Sequence, residues 1–197
     1  MPNLIAFSTL GCGEWSRETV IERAAAFGYD GIEWRGGPEG HVSPELPAAE
    51  YAAPLGLIVA PESHDNWVRS AALAEILAQV PHPALRALWD FGNAFADGED
   101  PLDGLRAIGP WLGYVHVKDG VLQDGAWRLT QLGQGQLPLK DILRGLLALG
   151  YTGALTFEWE RAFHPELEPA ETAFPTALGV LRQLLAEAEQ SKEKSTP

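Results

Sequence analysis

Three carboxylates and one imidazole stand at the ends of four short apolar runs in this 197-residue chain. They are Glu62, Asp90, His116 and Glu158. Carboxylate oxygens with one imidazole nitrogen suit Mn²⁺, Mg²⁺, Co²⁺ or Zn²⁺ and leave positions open for a bidentate substrate. The carboxyl ends of parallel strands meet at one crevice, so the sequence predicts a divalent-metal site there. Taken singly, each acid has an ordinary alternative, since acids that follow a strand often cap the next helix.

Six predicted strands position these residues, and they cover residues 4 to 9, 31 to 35, 57 to 62, 86 to 90, 113 to 117 and 154 to 158. Helical periodicity predicts helices over residues 17 to 27, 70 to 80, 139 to 149 and 172 to 188, a brief one between residues 100 and 110, and a turn or two near residues 48 to 53. Regular alternation of strands and helices predicts an α/β fold with a parallel sheet or barrel.

A loop is predicted from Gly120 to Gln136, just before one of these helices. Within it, Gly133-Gln134-Gly135 has the composition of a segment whose backbone N–H groups could bind a phosphate. The bulky strand residues Trp89 and Phe157 are predicted to lie in the core rather than to stack on a ligand.

Composition limits the classes of protein and partner. With 46% hydrophobic and 21% charged residues the chain is globular, and it is predicted to form one domain over residues 1 to 189 with a disordered polar tail at 190 to 197. A formal charge of −13 disfavours nucleic acid as a partner. No apolar run has the length of a membrane span, and a cytoplasmic location is predicted, with which the single Cys12 agrees.

Five segments together resemble the xylose isomerase-like family of sugar isomerases and epimerases. They are Gly28-Tyr29-Asp30-Gly31-Ile32-Glu33, Pro61-Glu62-Ser63-His64-Asp65, Trp89-Asp90-Phe91-Gly92-Asn93, His116-Val117-Lys118-Asp119, and the stretch from Gly150-Tyr151-Thr152-Gly153 to Glu158-Trp159-Glu160. The resemblance implies a TIM barrel whose metal is held by Glu62, Asp90, His116 and Glu158.

The resemblance also implies roles for individual residues. Glu62 and Glu158 would act as catalytic acid/base groups as well as ligands. Contacts with substrate would come from His64, Lys118, Arg35, Trp15 and Asn93, although the family often has His at the position of Asn93. Glu33 and Glu160 would contact the metal-binding side chains and hold them in position. The alternative is that these two acids form structural ion pairs.

The chain departs from the family in length. A (β/α)₈ barrel usually needs about 250 residues, whereas six βα units are found here. The deficit falls at the third predicted strand, where residues 55 to 60 resemble the start of the family's third strand and residues 61 to 64 the end of its fifth. A sheet shortened in this way exposes edges, which predicts a homodimer or higher oligomer, possibly with exchanged elements.

The function predicted from these residues is a metal-dependent isomerase or epimerase of a sugar or sugar phosphate, which transfers a proton through an enediolate. One alternative on the same scaffold is an inosose-type dehydratase. Another is a non-catalytic metal-binding or assembly protein that has lost its substrate pocket with the missing units. The net charge of −13 disfavours an endonuclease, which would need a basic groove to bind nucleic acid.

Overall fold

A five-stranded parallel sheet carries the predicted site residues in the computed structural model, which describes residues 3–34, 58–80 and 82–194. Its strands are β1 (Ile5–Ser8), β2 (Gly31–Glu33), β3 (Ala87–Asp90), β4 (Leu112–Val117) and β7 (Leu155–Phe157). Between β4 and β7, β5 (Asp119–Gln123) and β6 (Ala126–Thr130) form an antiparallel hairpin. The order in the parallel sheet is β2-β1-β7-β4-β3, so the last strand lies beside the first, as it does in a barrel.

The predicted strand at residues 57 to 62 is present only as a bridging segment. Val59 pairs with Leu85 and Glu62 with Leu88, both in parallel, and the Leu88 N–H donates to the Pro61 carbonyl at 3.0 Å. The segment therefore extends the sheet beyond β3. The predicted turn near residues 48 to 53 lies outside the described residues.

Within the described residues, six α-helices accompany these strands: α1 (Arg17–Phe27), α2 (Ser70–Gln79), α3 (Phe91–Ala96), α4 (Pro101–Ile108), α5 (Leu139–Ala148) and α6 (Ala170–Lys194). The predicted bounds of α1 are confirmed, because the Ser16 hydroxyl caps its first turn and Gly28 ends it at a φ of 87°. Helix α3 was not predicted. It begins where the Asp90 carboxylate accepts the Asn93 N–H at 2.9 Å.

The core lies between the sheet and the helices. Trp89 and Phe157 are almost fully buried, as predicted, and the Trp89 indole N–H donates to the Ser70 hydroxyl at 3.0 Å. Phe174 of α6 contacts the rings of Phe7 and Phe157 and so fixes the last helix against β1 and β7.

The end of α6 differs from the prediction. The helix continues through Lys194, into the segment at 190 to 197 that the sequence assigns to a disordered tail. Gln, Lys and Glu are strong helix formers and extend a helix that is already nucleated by its packed half.

Among the described residues, no helix combines the length and hydropathy that a membrane span requires.

The segment predicted as a loop after residue 119 contains the β5–β6 hairpin. Asp124 and Gly125, at its tip, have φ angles of 52° and 76°, as a two-residue hairpin turn demands. The Asp-Gly dipeptide is the sequence signal that identifies this turn.

The buried Asp119 carboxylate organises the rest of this segment. It accepts the N–H groups of Gly120 and Leu137 at 2.9 and 3.2 Å, and those of Gly133 and Gly135 at 2.9 Å each. A Cβ at residue 135 would come within 2.0 Å of Asp119 Oδ1, so the close approach requires glycine. The hypothesis that Gly133-Gln134-Gly135 binds phosphate is wrong, because the N–H groups of Gly133 and Gly135 are already bonded to Asp119 and that of Gln134 to the Gln131 carbonyl.

Replacement of Asp119 is expected to destabilise the protein. In Asp119→Asn the amide –NH₂ would face backbone donors, and at least one buried N–H group would lose its acceptor. We expect the free energy of unfolding, measured by urea denaturation, to fall by about 3 kcal/mol. Asp124→Asn at the exposed hairpin tip is the matched control and should change it little. Equal stability of the two variants would contradict the anchoring role.

Candidate active site

Four predicted residues converge at the carboxyl ends of the strands. Glu62, Asp90, His116 and Glu158 each offer one ligand atom, and these atoms all lie within 4.8 Å of one another. The His116 Nδ1 atom is 3.3 Å from Glu62 Oε1, 3.7 Å from Asp90 Oδ2 and 3.3 Å from Glu158 Oε2. The structure therefore forms the acidic and imidazole group that the sequence predicts.

Strand register explains this convergence. Asp90 and His116 are paired residues of the neighbouring parallel strands β3 and β4. Glu158 follows β7, and its N–H donates to the Val117 carbonyl at 3.1 Å, which sets it beside the end of β4. Glu62 reaches the group from the bridging segment on the other side of β3. Side chains alternate along a strand, so these register positions fix which ones face the crevice.

The imidazole of His116 is oriented by Glu33. Its Nε2 lies 2.7 Å from Glu33 Oε2, and the buried Nδ1 has no hydrogen-bond partner among the residues that the structure describes. Burial disfavours a charged imidazole, but the Glu158 carboxylate, with Asp90 and Glu33, outweighs it and raises the pKa of His116 well above its usual value. A buried imidazole nitrogen that faces three carboxylates and has no hydrogen bond is well placed to bind a metal ion.

Lys118 lies on the same face of the chain as His116, and its ammonium group contacts carboxylates. Its Nζ is 2.8 Å from Asp90 Oδ2, 2.7 Å from Glu158 Oε2 and 2.5 Å from Glu160 Oε1. Burial opposes the ammonium charge, but Asp90, Glu158 and Glu160 raise its pKa well above the usual value. Burial likewise opposes the charge of Glu158, but Lys118 and His116 lower the pKa of that carboxyl far below its usual range.

A cavity of about 340 Å³ opens beside the four residues. Its polar lining comes from Ser8, Glu33, Glu62, His64, Tyr114, His116, Glu158 and Glu160, and its apolar lining from Leu10, Trp34, Leu88 and Phe163.

The predicted substrate contacts are only partly at this cavity. His64 lines it, whereas Lys118 and Asn93 do not, and Lys118 Nζ donates to Asn93 Oδ1 at 3.3 Å. Asn93 instead lines a neighbouring cavity that His64 shares. Trp15 does not line the cavity as predicted, because its ring is buried against Phe174 in the core. Arg35 lies outside the described residues.

Of the two predicted supporting acids, Glu33 contacts the ligand residue His116, whereas Glu160 contacts Lys118. Three residues on the cavity lining were not predicted from the sequence: Ser8, Tyr114 and Phe163. Tyr114 precedes His116 by two residues on β4, so strand alternation was a usable signal. Burial, reinforced by Glu33, raises the pKa of its phenol. Phe163 follows β7 in a segment without periodicity, and no pattern marks it.

Loss of the Glu33 carboxylate is expected to weaken metal binding. Glu33→Gln removes the anionic partner that holds His116 with Nδ1 directed at the other carboxylates, and such outer partners typically contribute about 10- to 100-fold in affinity. The measurement is the dissociation constant for Mn²⁺ by competition with a chromophoric chelator. Glu22→Gln on the exposed face of α1 is the control. An unchanged constant in Glu33→Gln would refute the orienting role.

Fold and site together define a TIM-barrel-like α/β protein with a four-residue group that could hold a metal ion. Residues 45–184 match the model of the xylose isomerase-like TIM barrel family, and the chain belongs to that family. The predicted family and fold class are thus confirmed, and the chain of 197 residues is consistent with a shortened barrel.

Relatives of two chemistries are similar to this chain. A fructoselysine 3-epimerase of Escherichia coli O157:H7 is 30% identical over 115 residues, 55% of this chain and 41% of the relative. A 3-dehydroshikimate dehydratase of Bacillus anthracis is 31% identical over 72 residues, 36% of this chain and 26% of the relative.

Among solved structures, a D-allulose 3-epimerase from Methylomonas sp. superposes with a TM-score of 0.69 at 14% identity, over 93% of this chain and 98% of that one. This likeness shows the fold. The matches to curated relatives span less than half of those relatives' lengths.

Proposed function

We propose that the protein is a divalent-metal-dependent isomerase or epimerase that acts on a small sugar or sugar phosphate by proton transfer through an enediolate. The observation that carries the proposal is the convergence of three carboxylates and the unbonded His116 Nδ1 beside a cavity of about 340 Å³. Membership of a family with epimerase relatives supports the same reaction class.

Glu62, Asp90, His116 and Glu158 would hold the metal ion. When bound, a divalent cation supplies Lewis-acid polarisation of a carbonyl. Glu62 and Glu158 flank His116 Nδ1 at 3.3 Å each, which suits removal of a proton by one carboxylate and its return by the other. Lys118 and His116 lower the pKa of the Glu158 carboxyl and keep it ionised. Glu62 is the more exposed of the pair, at 28% of its side chain, and can exchange protons with solvent.

Solvent-exchange measurement tests the reaction class. The protein loaded with Mn²⁺ is incubated in D₂O with a panel of ketoses and inososes, each sugar being paired with its phosphate ester where one exists. We expect deuterium at the carbon next to the carbonyl, together with an isomer or epimer. Lack of exchange in every compound would contradict the proposal.

The same panel tests substrate charge. Glu33, Glu62, Glu158 and Glu160 place four carboxylates on the cavity lining, and they repel an anionic substrate. We therefore expect each free sugar to exchange faster than its phosphate ester.

A second candidate is a dehydratase that acts on a cyclic polyol ketone. The relative named 3-dehydroshikimate dehydratase favours it. Proton removal next to the carbonyl would begin both reactions, but in the dehydratase a hydroxyl group then leaves as water. Formation of an unsaturated ketone, followed by ultraviolet absorbance in the same incubations, distinguishes it from an epimerase, which conserves the composition of its substrate.

Metal affinity is expected to rise with pH. A metal ion bound by His116 would displace a proton from its imidazole, and the raised pKa of that imidazole extends this competition to higher pH than at an ordinary histidine. Below that pKa, release of one proton per metal predicts about a tenfold gain in affinity per pH unit. Titration with Mn²⁺ from pH 6 upward measures this slope. A flat profile would show that no proton is displaced.

We also propose that a second copy of the chain covers the open sheet edges. In the described part of the chain, β2 and the segment at residues 59 to 62 end the sheet on its two sides, and unpaired edges favour association. Sedimentation velocity should show a homodimer or higher oligomer, and a monomer at all concentrations would refute this.

A further inference from the structure

The ammonium group of Lys118 occupies the space behind two of the predicted metal ligands. We infer that Lys118 is a built-in counter-cation: it holds Asp90 and Glu158 together in the metal-free protein and competes with the metal for the same two oxygens. This inference rests on the proposed metal dependence.

Burial and charge support a fixed role for this side chain. Lys118 is 1% exposed and Asp90 is fully buried, so neither charge has water to stabilise it. Removal of one partner from a buried ion pair leaves an uncompensated charge, which is strongly destabilising. Lys118 compensates three carboxylates at 2.5 to 2.8 Å.

The backbone is shaped to admit the Lys118 stem. A Cβ at Gly92, at the start of α3, would lie 2.4 Å from Lys118 Cγ and 2.7 Å from its Cδ. Only glycine at this position leaves room for the aliphatic chain, so β3 and α3 are packed around Lys118 in its present direction. This packing is independent of the ion pairs.

Two oxygens are shared between the ammonium group and the centre of the site. Asp90 Oδ2 and Glu158 Oε2 contact Lys118 Nζ, and the same atoms lie 3.7 and 3.3 Å from His116 Nδ1. A cation bound by these oxygens would be close to the ammonium group, and like charges at such distances repel. Lys118 therefore preserves the arrangement of the ligands and at the same time weakens metal binding.

Lys118→Met tests the inference, because Met keeps an unbranched stem beside Gly92 and removes the charge. We expect the Mn²⁺ dissociation constant to fall about tenfold or more, the metal-free Tm to fall, and the rise in Tm on adding Mn²⁺ to exceed that of the wild type. The control is Lys140→Met, which removes a surface ion pair with Glu187 at 2.8 Å and should alter none of the Mn²⁺ responses.

An unchanged or weaker affinity in Lys118→Met would overturn the inference while leaving the proposed function standing. A wild-type protein that binds no Mn²⁺ would instead refute the proposed function. If Lys118→Met does not fold without metal, refolding in the presence of Mn²⁺ decides: recovery of the native circular dichroism spectrum supports the counter-cation role. Failure to refold with Mn²⁺ overturns it, because the metal would then be unable to replace the ammonium charge.

Discussion

Asp90→Asn and His116→Ala are expected to lose metal that the wild-type protein retains at near-stoichiometric amounts when it is purified without chelator. Each variant removes one of four ligand atoms that lie within 4.8 Å of one another. Loss of a ligand should cost more than the 10- to 100-fold typical of outer partners, on the order of a thousandfold in affinity. The measurement is metal content by mass spectrometry of the purified proteins, before and after reconstitution with Mn²⁺.

Asp90→Asn is chosen to limit the effect on folding, because the buried Lys118 keeps its ion pairs with Glu158 and Glu160. The Asp90 carboxylate also caps α3 through the Asn93 N–H, and an asparagine oxygen can keep that hydrogen bond. Asp141→Asn and His164→Ala, at exposed positions, are the matched controls and should retain metal. Wild-type metal content in Asp90→Asn or His116→Ala would contradict the assignment. If none of the proteins holds metal, even after reconstitution, the binding or assembly protein becomes the better hypothesis.

Glu158→Gln is expected to abolish turnover while the protein stays folded. The amide has the shape of the carboxylate but cannot accept the proton, and loss of a general base typically lowers the rate about 10²- to 10⁴-fold. Lys118 keeps its contacts with Asp90 and Glu160 in this variant, so the buried ammonium charge remains paired. Deuterium exchange in D₂O measures the rate, and thermal unfolding checks the fold.

Glu62→Gln and the exposed Glu166→Gln complete this comparison. With one acid/base group left, Glu62→Gln should retain exchange at the carbon next to the carbonyl but form no isomer or epimer, and Glu166→Gln should match the wild type. Wild-type exchange in Glu158→Gln would rule out its role as an acid/base group.

Local patterns were sufficient for the strands of the parallel sheet and for most helices. Ser16 and Gly28 bound α1 because a side-chain cap and a left-handed glycine satisfy the ends of a helix from within the same few residues. Glu62, Asp90, His116 and Glu158 could be named because each follows an apolar run, and parallel strands bring such ends to one crevice. These inferences depend only on periodicity and chain direction, and the sequence contains both.

Long-range packing decided which side chains contact one another at the site. Glu33 and His116 are separated by 83 residues, and only the position of β2 at the other side of the sheet brings their side chains to 2.7 Å. Lys118 was predicted to contact substrate, but the space beside Gly92 directs it behind the carboxylates. Trp15 is turned into the core by Phe174 from the last helix. Alternation along a strand assigns a side chain to a face, whereas its partner depends on which distant element packs there.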